Sequence, residues 1–328
     1  MTKKAGKAVT EALGEDIDRM LGAEPDVRAD AYDSVHQMRV ATRRLRSVLR
    51  SYRRLFRKSE TTELSAELKW LAGLLGVARD AEVRAERFAA LPATGAAGEA
   101  EADDNGGQAG DSTDAGAELD SGKDADGGQT AVVDRLAEAQ RSIYAEAHAE
   151  VLDALDSDRY ADLRRTLEHW RTDPPLRGKR GHASARKVFR AVLDGDTERL
   201  RTRILAEPDL PEDERVEALH DIRKAAKRLR YSAEAAVRVL GDDADDLRAR
   251  AKQVQSVLGD HRDAVEAAQV ILAAASEAEA AHTATVADTD IYILLAAAEE
   301  AAAARELERY PEAAQAFTAG DHSGQSAD

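Results

Sequence analysis

The chain has 328 residues, 63 acidic against 47 basic side chains, a formal net charge of −16 and no cysteine. The missing thiols exclude a disulfide framework, a thiolate metal centre and a cysteine nucleophile together, and the longest wholly apolar run, residues 291–298, is too short to span a bilayer. No apolar stretch follows Met1-Thr2-Lys3-Lys4, so a soluble cytoplasmic protein that does not enter a membrane is the expectation.

Apolar positions follow a helical period almost throughout, and no segment sustains strand alternation, so an all-α fold is expected. A first helix spans 9–21. The second, 34–58, capped by Asp33 or Ser34, is the most informative stretch of the chain. From Ser34 to Ser59 it has no Asp or Glu, yet it carries eight arginines and Lys58. Crowding like charges in one place costs stability unless something anionic answers them. At about 100° per residue, His36, Arg39, Arg43, Arg46, Arg50, Arg54 and Arg57 share one stripe, with Met38, Leu45, Leu49, Tyr52 and Phe56 opposite. The helix is expected to bury the second face and offer the first to an anion.

Helices at 60–76 and 79–91 follow, with Gly76 as a C′ residue ending the first of them. Residues 94–130 hold ten carboxylates, one lysine and one leucine; this segment cannot bury enough apolar surface to order itself and reads as a disordered acidic insertion. Helices at 131–155 and 158–171 come next, then the break at Pro174-Pro175. A third basic patch, Arg177, Lys179, Arg180, Arg186, Lys187 and Arg190, has no carboxylate between Asp173 and Asp194; a ligand surface and a solvated face are equally open readings. Helices at 183–207, 214–240, 243–258 (ended by Gly259), 261–281 and 287–309 complete the chain, followed by a flexible tail at 319–328. Short connections make antiparallel neighbours, and therefore helical bundles.

The pattern repeats. His36-Gln-Met-Arg39-Val-Ala-Thr-Arg43-Arg44-Leu45-Arg46 matches His220-Asp-Ile-Arg223-Lys224-Ala-Ala-Lys227-Arg228-Leu229-Arg230 without a gap. Further along, Leu75-Gly76-Val-Ala-Arg79-Asp80 matches Leu258-Gly259-Asp-His-Arg262-Asp263. Because spacing and order both recur, an internal duplication is read here.

These two duplicated motifs strongly resemble the CHAD family, the conserved histidine α-helical domain, and the resemblance covers nearly the whole chain outside the acidic insertion and the tail. It implies a single domain over 1–318, with repeats at about 9–171 and 176–310. It also implies two four-helix bundles, related by an approximate two-fold, that meet at a basic central cavity. It implies binding of inorganic polyphosphate, and in some members residence at polyphosphate granules. The physical reading agrees: a phosphate chain offers only closely spaced anionic oxygens, a helix supplies a cation per turn at a pitch of about 5.4 Å, and guanidinium forks onto phosphate at any relevant pH. The candidate polyphosphate contacts are His36, Arg39, Arg43, Arg44, Arg46, Arg50 and Arg54 on the first basic helix and Arg79 beyond it. Their counterparts are His220, Arg223, Lys224, Lys227, Arg228, Arg230 and Arg262. The histidines are read as phosphate donors, with packing and metal ligation as alternatives; Asp80 and Asp263 are read as structural.

No catalytic residue, cofactor or metal ligand is expected, so the function expected is binding without chemistry. Two rivals stand beside it. Single-stranded RNA also presents phosphates, but the basic helices lack interleaved aromatics and the chain is acidic. An enzyme acting on polyphosphate would need a carboxylate cluster, and His220-Asp221 and His261-Arg262-Asp263 lack the companion ligands or nucleotide loop that would make them catalytic. Acid excess, arginine in preference to lysine and abundant alanine match salt-adapted proteins; a GC-rich coding bias is the plainer source.

Overall fold

A computed structural model describes residues 3–91 and 121–318. Most of the acidic insertion and the tail, together with what was expected of them, lie outside these residues. The described residues are all-α: α1 (Ala5–Arg28), α2 (Ser34–Ser51), α3 (Lys58–Ala89), α4 (Ser121–Leu155), α5 (Asp158–Trp170), α6 (Gly178–Gly181), α7 (Ala185–Ala206), α8 (Glu212–Leu240), α9 (Asp242–Ala280), α10 (Val286–Glu308) and α11 (Tyr310–Thr318), with short 3-10 turns at Arg53–Leu55 and Glu207–Asp209.

They divide into two compact units. The larger holds the chain up to Asp80, Tyr144–Ala264 and the residues from Ala302 on; the smaller holds Ala81 to Ile143 and Val265–Ala301. The boundaries fall inside α3, α4, α9 and α10, not between the two sequence repeats. In the larger unit the apolar faces of α1, α2, α7 and α8 form the core, with Met20, Met38, Leu49, Phe56, Phe189 and Ile222 wholly buried. In the smaller unit Phe88, Val132, Leu136, Ala267, Ile271, Tyr292 and Leu295 meet in a core of their own. There Glu299, itself buried, accepts both Arg87 Nε contacts at 2.8 and 2.9 Å.

Four expectations are corrected. Gly76 and Gly259 do not end helices: α3 and α9 run straight through them. A Cβ on Gly76 would sit 3.7 Å from Arg39 Nη2, and one on Gly259 would sit 3.5 Å from Arg223 Nη2, so at each glycine an arginine of the basic helix lies against the neighbouring helix. The first basic helix, expected to reach residue 58, stops at Ser51, and Arg54 stands on the 3-10 turn after it. Asp33 is left-handed at φ 60° and makes no side-chain cap; its carboxylate accepts from Gln37 Nε2 at 2.7 Å. Residues 121–130 belong to α4 rather than to the insertion, because Gln129 is buried and a Cβ on Gly128 would stand only 3.4 Å from Ile291.

One buried carboxylate gives the larger unit a pH signature. Asp16 on α1 is 6% exposed, and burial pushes its pKa up to about 6 against the pull of Arg19, whose Nη1 lies 2.7 Å away. The folded chain therefore holds this proton more tightly than the unfolded chain does. The stability Asp16 contributes is complete below the unfolded value of 3.8 and is lost as pH rises through about 6. Asp16→Asn is expected to gain on the wild type between pH 3 and pH 8, by up to about 3 kcal/mol, as read from paired denaturant titrations. Parallel pH profiles for the two proteins would rule Asp16 out as the source.

Candidate anion-binding site

The larger unit contains a cavity of ≈ 940 Å³. The apolar face of α2 sets one wall: Met38, Leu45 and Leu49 are buried, which turns Arg43, Arg46 and Arg50 toward the cavity. α8 supplies Lys224, Lys227 and Arg228, of which Lys227 is the counterpart of Arg43 in the repeated motif. The 3-10 turn adds Arg53 and Arg54, and the first turns of α3 add Lys58 with the hydroxyls of Thr61, Thr62 and Ser65.

The last wall is a strap, residues 174–181. Its backbone is pinned to the turn after α2. Arg57 N donates to Pro175 O at 2.8 Å, Arg177 N donates to Leu55 O at 2.7 Å, and Phe56 and Leu176 form an isolated antiparallel bridge. Arg180 Nη1 donates to Arg54 O at 3.3 Å. These contacts hold Arg177 and Arg180 on the lining. Beneath the strap, Gly6 of α1 has no room for a side chain, since a Cβ would come within 2.9 Å of Leu176 Cδ1 and 3.2 Å of Gly181 Cα.

Among the described residues the lining carries eleven arginine and lysine side chains and no Asp or Glu. Burial pushes the Arg43 guanidinium below its ordinary range, and Arg39 and Arg223 push the same way against Tyr231 and Asp80. Arg46 is lowered by burial and by Arg50. Arg228 is lowered by burial first and by Arg199 and Arg50, opposed by Asp196. Desolvated cations that repel one another are stabilised by whatever anion enters.

Of the sequence-predicted contacts, the structure brings Arg43, Arg46, Arg50, Arg54, Lys224, Lys227 and Arg228 together. The others lie outside the lining and do structural work. Arg39 pairs with Asp80 at 3.0 Å beside Gly76, Arg44 with Glu234 at 2.7 Å, and Arg79 stands 3.9 Å from Asp33. Arg223 rests on Gly259. Arg230 donates to Gln255 at 3.3 Å and lies 5.4 Å from the Tyr231 ring. Arg262 Nη1 lies 2.5 Å from His220 Nδ1; burial, then Arg262 and Lys224, lower the imidazole pKa, which favours the neutral ring as acceptor. His36 is half-buried in the first turn of α2, away from the lining. Sequence reasoning left Arg53, Lys58, Arg177, Arg180 and the hydroxyls off the candidate set. The first two were signalled by the same acid-free run, the next two by the third basic patch.

Outside this lining, buried Asp196 of α7 ties the elements together. Its Oδ2 accepts from Ser51 and Ser232, each at 3.0 Å, and its Oδ1 accepts from Arg199 at 2.6 Å and pairs with Arg228 at 2.8 Å. Tyr52 of α2 donates to Ser232 O at 2.9 Å, joining α2 to α8 directly.

Fold and site together define an all-helical protein with a cavity whose described lining is rich in cations and holds no carboxylate. The chain belongs to the CHAD family, whose domain model matches residues 11–272. It is 34% identical over 292 residues to the uncharacterized protein Rv2226 of Mycobacterium tuberculosis H37Rv and to its counterpart MT2285 in strain CDC 1551. Each match covers 88% of this chain and 48% of the relative, so the chain spans about half the length of these proteins. Two solved structures share the fold. PptA from Streptomyces chartreusis superposes with a TM-score of 0.69 at 18% identity, covering 95% of this chain and 100% of that one. The CHAD domain from Ricinus communis gives 0.62 at 22%, covering 96% and 93%.

Proposed function

We propose that this chain binds inorganic polyphosphate in the cationic cavity and holds the polymer without transforming it. The observation that carries the reading is the lining itself: eleven cations and no carboxylate among the described residues, in a chain whose net charge is −16. The field that repels polyanions elsewhere is inverted in this one place. Family membership supports the ligand, since the CHAD resemblance implies polyphosphate. The repeated motifs on α2 and α8 support an ancestral duplication that set two cationic helices across one ligand.

The lining has no aromatic side chain on which successive bases could stack, which favours bare phosphates over single-stranded RNA. It offers guanidinium and ammonium donors, a set suited to gripping phosphate rather than to taking a proton from an attacking water. A cytoplasmic protein that gathers at polyphosphate granules is the cellular reading that follows. Calorimetric titration with polyphosphates of defined length, with RNA as competitor and a phosphate-release assay in magnesium, tests all of this. Saturable binding, no displacement by RNA at equal phosphate and no release are expected. Displacement by RNA or steady phosphate release would overturn the corresponding half of the proposal.

A further inference from the structure

A second cavity of ≈ 680 Å³ adjoins the first and differs from it in kind. The two share Arg53, Arg54, Arg180 and Arg228, so these four cations stand between them. Beyond that ridge Tyr52, Leu55, Val188, Ala191 and Val192 form an apolar wall beside Lys187 and Arg199, whereas Leu49 is the apolar residue of the first cavity's described lining. A polyphosphate chain has no surface that could use such a wall. A ligand that uses both cavities carries phosphates at one end and a compact apolar or planar group at the other.

We infer that the second cavity seats the base and sugar of a nucleoside polyphosphate whose phosphates lie on the shared arginines and in the first cavity. This rests on the reading of the first cavity as a phosphate site. The volume is that of a small-molecule pocket, and guanidinium planes on its rim stack on nucleobases as well as pairing with phosphate. Asp196 at its floor is saturated by Ser51, Ser232, Arg199 and Arg228, so it has no acceptor left to read a base edge. Purines and pyrimidines are therefore accepted alike, through shape and stacking. One isolated pocket of this type suits a mononucleotide and not a nucleic-acid strand, which needs a stacking surface for each base.

Gly195 supplies the test. It lines this cavity and not the first, and nothing lies within 4 Å of where its Cβ would be. Gly195 is exposed, so Gly195→Leu sets a bulky side chain across the open side of the pocket, and leucine is the better residue for the middle of α7, so the fold is kept. Magnesium-free calorimetry compares tripolyphosphate, ATP and CTP. On the wild type, ATP and CTP should each bind about tenfold tighter than tripolyphosphate, although the esters carry less negative charge. Gly195→Leu, and independently Ala191→Leu, should erase that preference and leave tripolyphosphate unchanged. Tripolyphosphate binding with no preference for the esters, or an equal loss of all three in both variants, overturns this inference alone. Failure of tripolyphosphate to bind the wild type overturns the first-cavity reading and this one with it.

Discussion

Arg46→Glu combined with Lys227→Glu is expected to weaken polyphosphate binding by about a hundredfold or more. The two residues face the first cavity from different helices, α2 and α8. Both are half-buried, and the Arg46 guanidinium is already held down by burial and by Arg50. Each replacement removes a charge-assisted contact worth about 1.5–3 kcal/mol and adds a carboxylate that repels the ligand. Arg186→Glu makes the same charge change on an exposed position of α7 outside this cavity and should cost less than about threefold. Circular dichroism and melting confirm that each variant folds. If Arg186→Glu loses as much affinity as the cavity pair, binding follows diffuse charge and not the cavity.

Asp196→Ala is expected to destabilise the larger unit by about 3–5 kcal/mol. The carboxylate is 3% exposed and carries the contacts of Arg228, Arg199, Ser51 and Ser232. Removing it leaves a guanidinium, 15% exposed in its side chain, buried without its counter-charge, and two buried hydroxyls without their acceptor. Asp196→Asn keeps an acceptor for the serines and loses the charge, so its cost should fall between the two. Guanidinium denaturation followed by far-ultraviolet dichroism gives the number. A loss below about 1 kcal/mol for the alanine variant would mean that these groups find other partners.

How far the sequence could be read depended on whether a signal was local. The burial of Met38, Leu45 and Leu49 and the outward stripe of Arg43, Arg46 and Arg50 follow from helical spacing alone, and the structure has both. Spacing shows which face a residue occupies but not what stands opposite. Arg44 meets Glu234 and Arg39 meets Asp80, partners that lie on other helices and that the spacing of the basic helix does not contain. Gly76 and Gly259 carried a local signal, the helix stop, that the structure does not use; each lies inside a continuous helix, beside Arg39 and Arg223 respectively. The start of α4 was hidden by composition, because the packing of Gly128 on Ile291 and the burial of Gln129 outweigh the acidic, glycine-rich sequence around them.

The strap at 174–181 bears on how this protein can be taken apart. Self-similarity places the seam between the two repeats at these residues, and an experimenter wanting a minimal half would cut the gene there. The cut would leave Leu55 and Arg57 on one fragment and their backbone partners Arg177 and Pro175 on the other. Neither half alone would own a complete cavity wall, and two halves mixed after folding would have to rebuild the Phe56–Leu176 bridge between separate chains. What reads in the sequence as a hinge is, in the structure, a closing seam of the cavity.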